Sequence, residues 1–439
     1  MDTGEARGVA RYRELFANRY AASLLAWSII ARLPNGMAAL SLVLLVRATG
    51  AGYGEAGLVT AAYSVAVAIG APYGGRQVDR RGADLVLRRR LVLYSTLFGA
   101  VAVLGEIEAP VPVIALFAAA AGLTLAPVSS VLRSIWPTVA GEDGARTAYA
   151  LDAALQEVIF IGGPLLVALL ASFDPAAAVA GAAVLAAIGT FAFMRLPPVR
   201  ASRPSEDRHS ARLGALSSGG VRTLAILSLC LGLGFGSAEI AIPAFAELQG
   251  NPALAGLAFA GFSLGSLVGG LLAALRPSRD ERRRIILGTC ALTALLGLPL
   301  LSTSMTEMAM LFFVAGVPVA PVIAAVYGQI GRVAAAGSVA EAFSWFGTSI
   351  SIGIAGGSVA GGWLIDSSSW MRRIASPRRA ATDNTLILGI CFSGGSGIEL
   401  VMMSSLRGDA SSRSIAGPES TPCVQQADTE TAPSFIRSL

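Results

Sequence analysis

The feature that most constrains this chain is its repeated alternation between uncharged apolar runs and short arginine-bearing connections. A run of about 20 mostly apolar residues can cross a lipid bilayer as a helix. Roughly eleven stretches qualify, near 21–46, 56–74, 90–105, 110–132, 148–171, 176–194, 223–246, 252–275, 285–304, 307–330 and 339–365. Most are apolar on every side, which suits a helix that is surrounded by lipid and other helices and satisfies its own backbone. Apolar residues form 54% of the chain and charged residues 14%, whereas a soluble domain carries about a quarter charged residues. The chain therefore reads as an all-α membrane protein.

The charges set an expected orientation. All 33 basic residues are arginine. With the alanine excess, this reads as GC-rich coding and a bacterial source. With the N-terminus in the cytoplasm, the inside loops hold Arg76 to Arg90, Arg195 to Arg222 and Arg276 to Arg284, while the outside loops centre on Glu106, Glu108, Asp174, Asn251 and Glu307. This is the positive-inside pattern. It predicts a multi-pass protein of the plasma (cell inner) membrane with a cytoplasmic N-terminus. Residues 1–20 are polar and amphipathic and lack the features of a cleaved signal. The net charge of +5 resides in these loops, so it does not point to nucleic acid.

The chain reads as two related halves. Residues 21–194 form one six-helix bundle, 195–220 a polar central loop, and 221–366 a second bundle with five clear spans. Leu125-Ala126-Pro127-Val128 recurs as Val319-Ala320-Pro321-Val322, and Gly74-Gly75 recurs as Gly269-Gly270. The two offsets agree to within one residue. Duplicated halves around a mid-membrane site are a transporter plan.

Span two is followed by Gly75-Arg76-Gln77-Val78-Asp79-Arg80-Arg81-Gly82. This segment resembles the Gly-x-x-x-Asp-Arg-x-Gly loop of the major facilitator superfamily, between helices two and three. The basic pair that usually follows is replaced by Ala83-Asp84, and the second-half copy has Ala274 where Asp79 has its counterpart. The resemblance implies the family's fold, two pseudo-symmetric six-helix bundles, here with a doubtful twelfth span. It also implies that Asp79 lies near the start of helix eleven, around Ser338 to Glu341. There a carboxylate is favoured by the helix dipole, and Gly75, Asp79, Arg80 and Gly82 would form a cytoplasmic gating motif. Alternatively the loop is only topogenic. Of the family's exporter signature in helix five, Gly163-Pro164 remains. The arginine of proton-coupled members in helix four is Ala118. The segments Gln156-Glu157 to Gly163-Pro164 and Glu341 to Trp345 resemble an actinobacterial branch of the family.

Ionisable groups inside a membrane are costly and are candidates for function. Arg32 and Asn35 in span one, Glu157 in span five and Glu239 in span seven are the candidate substrate or proton site. Arg32 and Glu157 read either as such a site or as a structural ion pair. Glu239 reads as a proton carrier or as a solvated charge. Arg133, Asp152 and Glu341 are placed near cytoplasmic helix ends as gate charges. No catalytic triad, metal cluster or nucleotide loop is evident, so neither an enzyme, a metal site nor a cofactor is expected. The expected partners are the lipid bilayer, an unidentified small molecule and protons, with the chain acting as a monomer. The function implied is secondary active transport by alternating access, with small-molecule efflux first. Metabolite uptake is the alternative, and a non-transporting sensor or defective copy is the alternative of another class.

The sequence changes character after Asp366. Arginines at 372, 373, 378 and 379 fall where an outside loop belongs, and the stretch near 385–403 is a poor twelfth span. Residues 367–439 read as a shifted reading frame or a degenerate helix, with a polar tail that has the composition of disorder.

Overall fold

The computed structural model describes residues 3–202, 214–249, 255–275, 280–302 and 304–367. The proposed twelfth span and the atypical C-terminal region from 368 onward, with residues 203–213 of the polar central loop, lie outside the described residues.

The chain is a succession of helices joined by short connections. In the first half these are α1 (Thr3–Ala17), α2 (Ala21–Ala48), α3 (Tyr53–Arg81), α4 (Ala83–Glu106), α5 (Val111–Thr124), α6 (Val128–Ala171), α7 (Pro175–Arg195) and the short α8 (Pro197–Arg200). The second half holds α9 (Gly219–Leu248), α10 (Ala255–Leu275), α11 (Glu281–Leu296), α12 (Met305–Gly316), α13 (Val319–Val333) and α14 (Val339–Ser367). Among the described residues, seven stretches are long and apolar enough to cross a membrane by length and composition. One of them runs from Val111 to Ala171 and is folded back on itself.

That fold-back differs from the sequence expectation of a loop between 132 and 148. Helix extends to Ala140 and resumes at once, and the reversal is made by Gly141 alone, at φ 67° and ψ 176°. Only glycine adopts such a conformation without steric cost. The basic loop after span two is likewise mostly helical. α3 continues through Arg81, α4 begins at Ala83, and Gly82 with φ 83° makes the turn. Charged residues did not end these helices, because arginine is a good helix former once the helix leaves the lipid.

Two further breaks occur inside apolar stretches. Residues 125–127 separate α5 from α6, and 317–318 separate α12 from α13. Both follow a glycine, Gly122 and Gly316, that lies close against a neighbouring helix: Gly122 against Tyr63 and Ala66 of α3, Gly316 against Phe262 and Ser266 of α10. The sequence repeat pairs Pro127 with Pro321, but the second break falls one turn earlier, at Pro318.

Packing follows the same plan in both halves. α2 packs on α6 and α7, and α9 packs along α14. α3 packs on α5, as α10 does on α12. Small residues make the close approaches, as expected where helices associate in lipid. A Cβ built on Gly163 would lie 2.6 Å from the carbonyl carbon of Gly36. One built on Gly357 would lie 2.8 Å from that of Leu233. Larger side chains fill the space inside the first half, where Tyr94 stacks on Phe98 at 5.3 Å and its hydroxyl lies 3.3 Å from that of Tyr63.

Candidate functional site

The halves meet at the end that carries the N-terminus. Two adjacent glycines let α3 approach its neighbours: Gly75 lies against the Ala340 carbonyl of α14, and Gly74 lies under the Arg90 guanidinium of α4. One turn on, Asp79 accepts hydrogen bonds from the backbone N–H groups of Ala340 (3.0 Å) and Glu341 (2.8 Å). These donors have no partner within a helix at its first turn, so a carboxylate satisfies them and meets the positive end of the helix dipole. Glu341 is itself buried, and its carboxylate lies 3.9 Å from Arg76 Nε. Arg80 is exposed beside it. Deeper in the same seam, Ser130 and Ser344 hydroxyls are 2.8 Å apart, and Thr348 donates to the Ala68 carbonyl at 2.9 Å.

A second inter-half contact was not anticipated from the sequence. Glu281, in the first turn of α11, is buried and pairs with Arg146 of α6 at 2.9 Å and with Arg332 of α13. In the sequence Glu281 sits among Arg276, Arg279, Arg282 and Arg283, where it reads as part of a solvated basic loop. The available signal was Asp280, which caps α11 by accepting from the Arg283 N–H at 3.0 Å and so fixes Glu281 inside the helix. The N-terminal segment also touches both halves: Asn18, just after α1, donates to the Val139 carbonyl at 2.8 Å, and Tyr12 of α1 donates to the Leu271 carbonyl at 3.0 Å.

The interior of the first half holds a charge cluster different from the pairing considered in the sequence. Arg32 does not pair with Glu157. Its Nη1 lies 2.8 Å from Asp152 Oδ1, while Arg133 Nε donates to Asp152 Oδ2 at 2.8 Å. The physical reason is helix depth. Asp152 and Arg133 lie on the two arms of α6 at similar distances from Gly141, and Arg32 lies at a matching depth on α2. Arg133 and Asp152 are therefore interior groups and not helix-end charges. Asp152 is fully buried, Arg32 is 2% exposed and Arg133 5%. The Arg32 Nε also donates to the Ser28 carbonyl at 3.2 Å. Arg133 lies 3.9 Å from the ring centroid of Tyr327 in the other half, and Tyr327 packs edge-on to Phe346 at 5.0 Å and Phe343 at 6.1 Å. Two guanidinium groups thus share one carboxylate beneath an aromatic cover.

Glu157 lies elsewhere on α6. Its carboxylate faces the hydroxyls of Ser263 and Ser266 on α10 of the other half. Asn35 and Glu239 are exposed on α2 and α9 and do not join the Arg32 cluster. Pro164 lies inside α6, and the neighbouring Gly163 provides the close contact with Gly36.

Comparison with known proteins places this arrangement. The family model for the Major Facilitator Superfamily matches residues 24–250 and 224–371. The chain belongs to the Major Facilitator Superfamily. Solved structures of that fold align over most of its length. A bacterial homologue of the iron transporter ferroportin, in the outward-facing state, aligns with a TM-score of 0.64 at 13% identity, covering 86% of this chain and 99% of the other. The human organic anion transporter MFSD10 aligns at 0.58 and 16%, covering 88% and 98%. The proton:xylose symporter XylE, another Major Facilitator Superfamily protein, aligns at 0.57 and 15%, covering 88% and 96%. At these identities the likeness is one of fold. No curated protein sequence matches the chain.

Proposed function

We propose that the chain is a secondary active transporter that works by alternating access, and that it exports a small molecule. The observation that carries this reading is the seating of Asp79 on the first turn of α14. It joins the two halves at one membrane face through bonds that a rocking motion can break and remake. The arginine asymmetry supports a cytoplasmic position for that face. The contact is then a latch that holds the cytoplasmic side closed, reinforced by Glu281 with Arg146 and Arg332. The ferroportin homologue, whose fold is similar, was captured in an outward-facing state, which supports reading this arrangement the same way.

Glu157 supplies a means of coupling. It belongs to the first half and faces two hydroxyls of the second. Protonation would change the strength of that inter-half contact, so proton uptake and release would bias the two states. Export is favoured over import by the Gly163-Pro164 remnant in helix five and by the aromatic cover of Tyr327, Phe343 and Phe346.

The test is flux in reconstituted vesicles. The host for the substrate screen lacks its own efflux pumps, and hits are carried into proteoliposomes with an imposed proton gradient. Gradient-dependent export that is abolished in Glu157→Gln supports the proposal. Gradient-dependent import instead would make the chain an uptake permease, and absence of flux for every hit would favour a non-transporting role.

A further inference from the structure

The outer flank of α3 carries a cavity of about 390 Å³ that none of these contacts uses. It lies between α3, α4 and the end of α5, and three arginines line it: Arg81, Arg89 and Arg90. Arg90 is 5% exposed. Its guanidinium donates to the Leu125 carbonyl at 2.9 Å and lies 5.9 Å from the ring centroid of Tyr73. Neither neighbour carries a compensating charge. Among the described residues no carboxylate pairs with Arg81, Arg89 or Arg90: Asp79, the acid nearest Arg81 in sequence, is bonded to the Ala340 and Glu341 N–H groups, and Asp84, the acid nearest Arg89 and Arg90, is engaged by Arg88 at 2.9 Å. A buried cation without a counter-charge is expensive, so the cavity calls for an anion.

The remaining wall decides which anion. Ile69 and Leu93 line the same cavity and are 62% and 50% exposed. A free inorganic ion gains nothing from such a wall, whereas an acyl chain does. We propose that an anionic phospholipid of the bilayer occupies this cavity, with its phosphate against Arg81, Arg89 and Arg90 and an acyl chain along Ile69 and Leu93. Arginine suits the task, since its planar donors match phosphate oxygens. The site and the latch share one turn of helix. Gly74 faces Arg90 and Gly75 faces α14, so a bound lipid steadies α3 where it engages the other half.

Native mass spectrometry of the full chain in detergent tests the proposal, with phosphatidylglycerol and phosphatidylcholine added separately. Arg90→Gln removes a buried group and is open to misfolding, so the double variant Arg81→Gln/Arg89→Gln is used. Arg11→Gln/Arg13→Gln is the charge-matched control. The expected result is retention of phosphatidylglycerol over phosphatidylcholine by about tenfold or more. That preference is lost in the Arg81/Arg89 variant and kept in the control. Equal retention of the two lipids, an unchanged preference in the Arg81/Arg89 variant, or an equal loss in the control overturns the proposal. Displacement of the lipid by millimolar inorganic phosphate also overturns it, in favour of a free-phosphate site.

Discussion

Asp79 Oδ2 accepts a 2.8 Å hydrogen bond from the backbone N–H of Glu341, and its other oxygen binds the neighbouring N–H of Ala340 at 3.0 Å. One carboxylate thus covers two amide groups of a helix that belongs to the other half of the molecule. Asp79→Asn keeps the shape and removes the charge. The loss is about 1–2 kcal/mol of closed-state stability, or roughly five- to thirtyfold in the closed-to-open ratio. A cysteine in place of Ser130, whose hydroxyl lies 2.8 Å from that of Ser344, reports this. In a background without native cysteines, its maleimide labelling is expected to accelerate when Asp79→Asn is added. Unchanged labelling would show that the contact does not hold the seam shut.

Asp152 neutralises two buried arginines at 2.8 Å each. Asp152→Asn leaves Arg32 and Arg133 uncompensated, and the expected destabilisation is about 3–5 kcal/mol. Arg32→Gln retains the Arg133 pair and is expected to be milder. Thermal unfolding in detergent ranks the two variants. The reverse order would mean that the cluster is wetter and less coupled than its burial implies.

Gly163 and Gly347 predict opposite responses to the same change. A methyl group at Gly163 meets the Gly36 backbone, whereas nothing lies within 4 Å of a Cβ at Gly347. Gly163→Ala is expected to cost about 1–3 kcal/mol through forced separation of α2 and α6. Gly347→Ala is expected to be neutral or to stabilise by up to about 1 kcal/mol. Comparing the melting temperatures of the two variants checks the helix spacing directly.

Glu106, exposed where α4 ends, shares a hydrogen bond with Asp174, and that contact and the Asp174 charge raise its pKa above the usual glutamate value. Asp174 also caps α7 by accepting from the Ala176 N–H at 2.9 Å. A carboxyl group with a raised folded-state pKa binds its proton more tightly when folded. Its contribution is therefore complete below the ordinary glutamate value and is lost as pH rises through the raised one. The melting temperature is expected to decline across that window, and Glu106→Gln is expected to flatten the decline. An equal slope in the variant would assign the pH dependence to other groups.

The apolar helices were legible in the sequence because they rest on a local rule, and the contact of Asp79 with the start of α14 was legible through the family resemblance of its motif. Apolar length identifies a span regardless of its neighbours. Gly75, Asp79 and Gly82 have roles tied to one turn and one helix end. The pairing of Arg32 was not legible, because it depends on how far α2 and α6 slide and rotate against each other. Helices that are apolar on all sides carry little pattern from which to read that rotation. Glu281 was hidden for a related reason: its partners Arg146 and Arg332 come from separate helices, and its own surroundings in the sequence are cationic.

The single-residue reversal at Gly141 has a consequence for how the chain enters the membrane during synthesis. The two arms of α6 emerge from the ribosome in immediate succession, with Arg133 on one and Asp152, 19 residues later, on the other. A hairpin this tight lets the two charges meet as soon as both arms are made. The insertion machinery then meets a neutral pair in place of two ions that are each costly at depth. Arg32, already synthesised and waiting on α2, joins a partner that arrives partly neutralised. Replacing Gly141, which alone makes the bend, is therefore expected to lower the yield of inserted protein.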